Sequence, residues 1–261
     1  MIKVVASDVD GTLIHELGES ISPRLFAQIE RLKEKGIHFV VASGRPYANL
    51  KRLFVPLEEE IAYISENGSY CVDKDTVFAK GLIEAPLATE ILEAIDEIDE
   101  LVCIVSTDHV MYTSTKHREY TASVLKNYDY EVTYVDNLAT DIAEPIIKIA
   151  TFTPGDNFAT LEHFKALFGD RIKVVTAGNA WVDFISPIAN KGSSLKAYCE
   201  LKGVKPEECM AFGDQYNDAE MLAFAGESYA METCAPGVEK YAKHRTALVE
   251  DTLDELLNSL K

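Results

Sequence analysis

A short apolar strand that stops at two carboxylates is the feature that most constrains the fold of this chain. Residues 1–6 are β-prone and largely apolar, and Asp8 and Asp10 follow them two positions apart, just before Gly11. A short apolar run bounded by a turn is typical of a buried strand in a parallel sheet. In open α/β sheets, ligands bind at the carboxyl ends of the strands. We therefore expect Asp8 and Asp10 to lie at a ligand-binding edge.

An Asp-Xaa-Asp-Gly string also has two simpler interpretations. Asp and Gly favour turns, so the segment could be a turn and nothing more. It could also open a calcium loop, but Leu13 occupies the position where that loop needs Gly, and a strand rather than a helix precedes it. We exclude the calcium loop and favour a catalytic pair over a plain turn. Two adjacent carboxylates repel each other, and their hard oxygen atoms favour Mg²⁺ as the neutralising cation.

The second predicted strand, residues 37–42, ends in the same way, at Ser43 and Gly44. Between the two strands, Ser22-Pro23 has the form of a helix start, so a crossover helix joins them and the sheet is parallel. Ser43 would then lie at the same edge as Asp8, where its hydroxyl can donate to an anion, and Gly44 would let the backbone approach that anion. Ser43 could equally cap the next helix, and the residue alone leaves both roles open.

The last third of the chain repeats the pattern of a strand followed by carboxylates. Residues 209–212 form a predicted strand that runs towards Asp214, Asn217 and Asp218, and a helix follows. Asn217 or Asp218 could be only the helix N-cap, whereas Asp214 lies too far from the helix to cap it and is the better metal candidate. Lys191 falls in the first turn of another predicted helix, where the dipole disfavours a cation. A solvated surface would tolerate it, and a bound anion would explain it better.

The middle of the chain, between the first two predicted strands and the segment that begins at Lys191, differs from both in composition. Residues 86–101 predict an acidic amphipathic helix, and residues 102–185 alternate between strand-like and helical segments. A grouping of this kind over about 100 residues predicts a separate α+β module.

Composition restricts the possible partners. The chain has 261 residues, of which 47% are apolar, and a formal net charge of −18. Nucleic acids and anionic membranes require a basic face, so we expect neither as a partner. No apolar run approaches the ~20 residues of a membrane helix, and the five cysteines are scattered, so we expect a cytoplasmic protein with reduced thiols. An anionic substrate would need a local cluster of cation, lysine and backbone amides.

Together, the strand-end segments resemble the four motifs of the haloacid dehalogenase superfamily of phosphotransferases. They are met in the family's order as Asp8 with Asp10, Ser43, Lys191, and Asp214 with Asp218. The inserted module, with Asn67-Gly68 and Ile185-Ser186-Pro187, is similar to the Cof-type (subclass IIB) phosphatases. The resemblance implies an α/β fold with a Rossmann-like parallel-sheet core at residues 1–82 and 188–261 and an inserted α+β cap domain of the C2 type at residues 83–187.

Two segments depart from the family pattern. Residues 231–235, Met-Glu-Thr-Cys-Ala, stand where these proteins usually carry Gly-Asn-Ala, and residues 250–252 lack the usual following Gly-Val. The departure concerns the loop beside the fourth motif and leaves the carboxylates in place.

The resemblance also implies roles for the motif residues. Asp8 would be the nucleophile that forms an aspartyl-phosphate, and Asp10 would act as general acid and then general base. The implied ligands of Mg²⁺ are Asp8, Asp10 through its carbonyl oxygen, Asp214 and Asp218. The implied phosphate-binding residues are Ser43, Gly44, Lys191 and Asn217.

The implied function is a Mg²⁺-dependent phosphatase acting on a small-molecule phosphate ester, with sugar phosphates the leading class and pyridoxal phosphate second. Two alternatives are a phosphosugar mutase of the same superfamily and a non-catalytic phospho-ligand sensor, although a sensor has no use for Asp10. We expect a monomer or weak homo-oligomer. Four polar residues of the module are candidates for substrate contact, although each alone would be expected at the surface: Lys116, His117, Arg118 and Lys148.

Overall fold

The computed structural model describes residues 1–15, 20–108, 110–126, 132–153, 155, 157–177 and 180–260. The chain divides into two compact units, the first formed by Met1–Lys80 with Ala189–Lys261 and the second by Gly81–Ile188. The role of the inserted unit as a cap stays a prediction.

The helices and strands follow one another in three stretches. The first stretch comprises β1 (Val4–Ser7), α1 (Pro23–Glu34), β2 (His38–Ala42), α2 (Tyr47–Leu53), β3 (Ala62–Ser65), β4 (Tyr70–Asp73) and β5 (Thr76–Lys80). The second unit comprises α3 (Ala85–Asp96), β6 (Val102–Ser106), β7 (Met111–Ser114), α4 (Arg118–Leu125), β8 (Thr133–Val135), β9 (Lys148–Phe152), α5 (Phe158–Phe168), β10 (Lys173–Ala177) and β11 (Trp181–Ile185). The chain then completes the first unit with α6 (Lys191–Lys202), β12 (Cys209–Gly213), α7 (Ala219–Phe224), β13 (Glu227–Met231), β14 (His244–Thr246) and α8 (Val249–Ser259). Among the described residues, none of the helices combines the length and the apolar character needed to span a membrane.

Eight strands of the first unit form one sheet in the order β14-β13-β12-β1-β2-β3-β4-β5. The strands from β14 to β3 are parallel, and β4 and β5 extend the sheet as antiparallel strands. Side chains of β1 alternate between two cores: Val5 belongs to the core that contains Leu25 and Leu253, and Ala6 to the core that contains Leu195. Helices therefore cover both faces of the sheet, as a buried parallel sheet requires, and the predicted Rossmann-like core is confirmed.

The local signal for the start of α1 is confirmed in detail. The Ser22 hydroxyl oxygen accepts a hydrogen bond from the amide of Leu25 at 3.1 Å, and Pro23 occupies the first helical position. The cap satisfies one of the amides that a helix start leaves without an intrahelical partner.

The second unit contains a six-stranded sheet in the order β10-β11-β9-β6-β7-β8. Its strand pairs are antiparallel except β7 with β8, which is parallel. Ile91 of α3 and Phe164 of α5 share a core with Val105 on one face, and Val124 of α4 shares another with Ile104 and Trp181. Helices packed on a mainly antiparallel sheet give the α+β class expected from the sequence.

Helix α3 is shorter than its amphipathic pattern predicts, because it ends at Asp96 rather than near residue 101. Acidic residues continue through this end of the helix, and the last turn carries no basic residue. Negative charge is unfavourable at a helix carboxyl terminus. The ammonium group of Lys116 donates to the Asp96 carbonyl oxygen at 2.9 Å, and so satisfies one of the exposed terminal carbonyls.

Candidate active site

The ends of three neighbouring strands bring the candidate residues to one edge of the first unit's sheet. Asp8 follows β1, Ser43 follows β2, and Asp214 follows β12. Strand β1 lies between the other two and is parallel to both. The backbone pairing continues past the strand, since the Asp8 amide donates to the Phe212 carbonyl oxygen at 3.0 Å. The three side chains therefore start from adjacent positions along the edge.

Three carboxylates from this edge meet in the interior. One oxygen from each of Asp8, Asp214 and Asp218 lies within 4.8 Å of the others, and all three residues are buried. Burial raises the pKa of Asp8 well above its ordinary value despite the opposing charge of Lys191, and the charges of Asp218 and Asp214 also raise it. Burial, followed by the charge of Asp218, also raises the pKa of Asp214. The group therefore needs positive charge close by.

Lys191 supplies one such charge from the first turn of α6. Its Nζ donates to Asp8 Oδ1 and to Asp218 Oδ1, both at 2.6 Å, and the lysine side chain is fully buried. Burial by itself lowers the pKa of Lys191, but the charges of Asp218 and Asp8 together outweigh it and raise the pKa above its ordinary value. The anions beside this lysine are thus two carboxylates of the chain itself. They explain a cation at the wrong end of a helix dipole.

The donor set fits a divalent cation. It consists of carboxylate oxygens, which are the hard ligands that Mg²⁺ and Ca²⁺ prefer over the nitrogen and sulfur ligands typical of zinc. Lys191 alone contributes one positive charge against three acidic groups. Asp8, Asp214 and Asp218 are the residues that could hold such an ion.

Two residues that follow Asp10 shape the position of Asp214. Gly11 has φ = 88°, and a Cβ atom there would lie 2.3 Å from Asp214 Oδ2, so a glycine is required both by conformation and by space. The hydroxyl of Thr12 donates to Asp214 Oδ1 at 3.0 Å. The first motif therefore also orients a carboxylate of the fourth.

Asp218 is more than a helix cap. It occupies the N-cap position of α7, but its side chain makes no capping hydrogen bond to that helix. Its Oδ2 instead accepts from the amides of Asp214 and Gln215, both at 2.9 Å, while its Oδ1 binds Lys191. Asn217 lies in the turn before α7, where its Nδ2 donates to Asn67 Oδ1 at 2.9 Å. Each oxygen of Asp218 thus fixes a different part of the site.

Ser43 does not cap the next helix. Helix α2 has Pro46 at its N-cap, and the Ser43 hydroxyl oxygen accepts instead from the Arg45 amide at 3.1 Å. A Cβ atom on Gly44 would lie 3.2 Å from both terminal atoms of the Asn67 side chain. Asn67 itself has φ = 55° and also contacts Asn217, so it joins the loops after β2, β3 and β12. The predicted phosphate-binding role of Ser43, Gly44 and Asn217 stays a prediction.

Asp10 is placed differently from the other carboxylates. Its side chain is 53% exposed, and Arg45 binds both of its oxygens, with Nε to Oδ2 at 2.8 Å and Nη2 to Oδ1 at 2.6 Å. The side chain is therefore outside the buried three-carboxylate group. The role of the Asp10 carbonyl oxygen as a metal ligand stays a prediction.

The atypical loop beside the fourth motif keeps a backbone contact to the site. The amide of Ala235 donates to the carbonyl oxygen of Asp214 at 2.8 Å, and the Tyr216 hydroxyl donates to the Pro236 carbonyl oxygen at 3.0 Å. Neither hydrogen bond uses a side chain of residues 231–235. The atypical side chains of this loop therefore leave both hydrogen bonds intact.

The polar candidates of the second unit differ in environment. Lys116 binds Asp96 and Asp99, and the Arg118 guanidinium lies 4.3 Å from the centre of the Tyr134 ring. His117 lies in the short 3₁₀ turn before α4. The expectation that each candidate is a surface residue is wrong for one of them, Lys148, as described next.

Lys148 is 6% exposed, and its Nζ lies 3.5 Å from Asp183 Oδ2, which is 2% exposed. The two residues lie on the adjacent strands β9 and β11 and project from the same face of the sheet. A buried charge needs a partner. The sequence did not reveal the burial, because a lysine at the start of a strand is ordinarily exposed.

Sequence reasoning did not assign a role to three residues that contact the candidates: Thr12, Arg45 and Asn67. Arg45 and Asn67 were visible as parts of the polar segments after β2 and β3, but their side-chain partners lie in other loops. Thr12 has no distinguishing neighbour in sequence except Gly11. Only the fold brings these partners together.

Comparison with known proteins agrees with this arrangement. The family described as haloacid dehalogenase-like hydrolase matches residues 5–252. The 5-amino-6-(5-phospho-D-ribitylamino)uracil phosphatase YbjI of Escherichia coli strain K12 is 31% identical over 264 residues, covering 98% of this chain and 96% of that protein. A solved structure from Eubacterium rectale is 27% identical with a TM-score of 0.88, covering 98% of this chain and 99% of that one. The subclass IIB sugar phosphatase BT4131 has a TM-score of 0.79 at 23% identity, covering 99% of this chain and all of that one, which supports the fold alone.

The matches confirm the Cof-type resemblance and the predicted enzyme class, a phosphoric monoester hydrolase. The family match extends over nearly the whole length and includes every candidate residue of the first unit. The chain belongs to the haloacid dehalogenase-like hydrolases.

Proposed function

We propose that the chain hydrolyses phosphate monoesters of small metabolites in a Mg²⁺-dependent reaction that passes through an aspartyl-phosphate on Asp8. The observation that carries the proposal is the contact between Lys191 Nζ and Asp8 Oδ1 at 2.6 Å inside a buried cluster. It fixes one oxygen of the nucleophile, which leaves the other in a defined direction for attack. Holding a reactant in one orientation lowers the entropic part of the barrier.

The reaction has two halves. In the first, an oxygen of Asp8 bonds to phosphorus as the ester bond breaks, and protonated Asp10 gives its proton to the leaving oxygen. In the second, a water oxygen bonds to phosphorus as the bond to Asp8 breaks, and Asp10 accepts the water proton. Inorganic phosphate leaves, and both carboxyl groups return to their starting states.

Charge is the main obstacle to the first half. A dianionic phosphate at ~4 Å from a carboxylate is repelled by about 4 kcal/mol per pair of unit charges at an effective dielectric near 20. A magnesium ion held by Asp8, Asp214 and the Asp10 carbonyl, with Asp218 in support, would supply the charge that makes the approach possible. Ser43, the Gly44 amide, Lys191 and Asn217 would donate to phosphate oxygens as charge spreads over them.

The substrate class rests on the relatives and on the size of the inserted unit. The Escherichia coli relative acts, by its name, on a phosphorylated ribitylaminouracil. We propose that the inserted unit serves as the cap, which contacts the leaving group of the substrate and favours small substrates over polymers. Sugar phosphates and related polyol phosphates are the first class to test, and pyridoxal phosphate is the second.

The test is phosphate release by the purified protein with Mg²⁺, first from p-nitrophenyl phosphate and then across a panel of phosphorylated metabolites. Free phosphate produced from one or a few sugar or polyol phosphates is the expected result. Conversion of a sugar phosphate into its isomer without phosphate release would favour the mutase. Binding of the panel without any turnover would favour the sensor and contradict the proposal.

A further inference from the structure

Arg45 binds both carboxylate oxygens of Asp10, the proposed proton-transfer residue. Its Nε donates to Asp10 Oδ2 at 2.8 Å and its Nη2 to Asp10 Oδ1 at 2.6 Å. A planar guanidinium that meets both oxygens of a carboxylate fixes the orientation of that carboxylate as well as its position. A lysine ammonium group could hold the position but not the orientation.

The backbone that carries Arg45 is itself anchored. Its amide donates to the Ser43 hydroxyl oxygen at 3.1 Å, and its carbonyl oxygen accepts from the Glu66 amide at 3.1 Å. On the other side, Asp10 precedes a tight turn in which the Gly11 amide donates to the Ile14 carbonyl oxygen at 2.7 Å. The contact therefore joins two fixed loops, those that follow β1 and β2.

Stability does not explain such a contact. The Arg45 side chain is 31% exposed and that of Asp10 is 53% exposed. Ion pairs at this degree of exposure typically contribute little to folding. The bidentate contact holds Asp10, which is two positions from the proposed nucleophile Asp8. We therefore expect the contact to affect the reaction rather than the fold.

We propose that Arg45 is the positioning residue of Asp10 in the second half-reaction, an inference that rests on the proposed function. In that step the water oxygen bonds to phosphorus, the bond between phosphorus and Asp8 breaks, and the water proton passes to the Asp10 carboxylate. Each carboxylate oxygen has two acceptor sites, so the guanidinium contact leaves one on each oxygen for the water. Arg45 keeps that acceptor aimed while the proton moves.

The prediction is tested with Arg45→Ala and p-nitrophenyl phosphate in rapid-mixing experiments. p-Nitrophenolate leaves phosphorus without needing a proton, so this substrate makes turnover sensitive to the second half-reaction. We expect a burst of about one p-nitrophenol per enzyme, and a steady-state rate about 10²-fold below wild type, the loss that a small misplacement can cause. The phosphorylated enzyme should accumulate, and added methylguanidinium should restore part of the rate.

Two further variants separate orientation from charge. Arg45→Lys keeps the charge without the two-point contact, so its rate should lie between those of wild type and Arg45→Ala, again with a burst. Arg24→Ala is the matched control, because Arg24 is a similarly exposed arginine of the same unit that pairs with Asp251 and Asp254. It should behave as wild type.

Three results would overturn the role of Arg45 alone: a higher KM with unchanged kcat, slower turnover without a burst, or wild-type kinetics in Arg45→Ala. The first would assign Arg45 to substrate binding, and the second would put the defect in the first half-reaction. Absence of turnover by the wild-type enzyme, or turnover by Asp8→Asn, would overturn the proposed function and the role of Arg45 with it.

Discussion

Two buried charge clusters, one from each unit, differ in how closely the opposite charges approach each other. In the first unit, Lys191 Nζ lies 2.6 Å from both Asp8 and Asp218, and Asp218 also accepts two backbone amides. In the second unit, Lys148 Nζ lies 3.5 Å from Asp183 Oδ2, and among the described residues this oxygen accepts no hydrogen bond. Both clusters are removed from water, so both carry a desolvation penalty.

The difference shows what each cluster can do. In a low-dielectric interior, closely spaced hydrogen bonds between charges strengthen one another and fix each group in one orientation. The cluster around Lys191 is therefore preorganised, as the proposed nucleophile and the proposed metal site require. The attraction between Lys148 and Asp183, the loose pair, acts over a longer distance and offsets less of the desolvation of Asp183, so we expect this contact to add little to folding compared with apolar side chains.

The largest expected effect tests whether the chemistry belongs to the first cluster. Asp8→Asn removes the proposed nucleophile while keeping the shape, so kcat should fall by about 10⁴-fold or more. Asp183→Asn is the matched change in the second unit and should leave the hydrolysis of p-nitrophenyl phosphate within a factor of a few. Steady-state assays of both purified variants check this. Substantial turnover by Asp8→Asn would rule out a covalent intermediate on this residue.

Metal removal should abolish activity, because the proposed metal site belongs to the cluster around Lys191. Activity should vanish in EDTA and return with Mg²⁺ but not with Ca²⁺, because Ca²⁺ takes more ligands at longer distances and would draw both oxygens of Asp8. Mg²⁺ should also raise the melting temperature of the wild type, and Asp214→Asn should reduce that shift. Thermal unfolding with and without Mg²⁺ gives a readout independent of turnover. Full activity of the metal-free protein would contradict the metal site.

Stability should respond most to the lysine of the dense cluster. Lys191→Met leaves Asp8 and Asp218 buried without their shared partner, and breaking a buried pair in this way costs about 3–5 kcal/mol. Urea unfolding of the variant measures the loss, with Arg24→Ala as an exposed-pair control that should unfold close to wild type. A loss for Lys191→Met no larger than the control's would mean that this cluster does not hold the fold.

The loose pair should behave differently when both members are replaced. Lys148→Met alone leaves Asp183 unpaired and should cost about 2 kcal/mol. Adding Asp183→Leu should recover most of that loss, because replacing a whole buried pair by apolar residues is often neutral or stabilising. The double-mutant cycle, measured by urea unfolding, quantifies the coupling. A double variant that is no more stable than Lys148→Met would contradict the expectation that the unpaired Asp183 causes the loss.

The smallest effect is the pH dependence contributed by Asp183. Burial raises the pKa of Asp183 despite the opposing charge of Lys148, so the folded protein binds this proton more tightly than the unfolded chain. Its contribution to stability is therefore fully present below the unfolded pKa of about 3.9 and is lost as the pH rises through the folded value. The difference in unfolding free energy between wild type and Asp183→Asn should fall as the pH rises above about 4. A difference that does not change with pH would contradict the shift.

The sequence alone determined the layout of the first unit. Apolar strands that end at carboxylates, and a Ser-Pro helix start between two of them, specify a parallel sheet with Asp8, Ser43 and Asp214 along one edge. These signals are local, since a strand, a cap and a turn depend on residues within a few positions of each other. For the same reason, the acidic pattern beyond Asp96 could not show that α3 ends there, because the Lys116 contact comes from a distant segment.

Only the tertiary structure decided which side chains meet. Three sets of contacts show this: those of Lys191 with Asp8 and Asp218, that of Arg45 with Asp10, and that of Thr12 with Asp214. Each contact joins residues at least 27 positions apart in the chain. The tertiary structure also decided which charged residues are buried. A lysine such as Lys148 is expected at the surface, yet it is buried because its strand pairs with the one that carries Asp183. Contacts and burial depend on how distant segments pack, which no local pattern encodes.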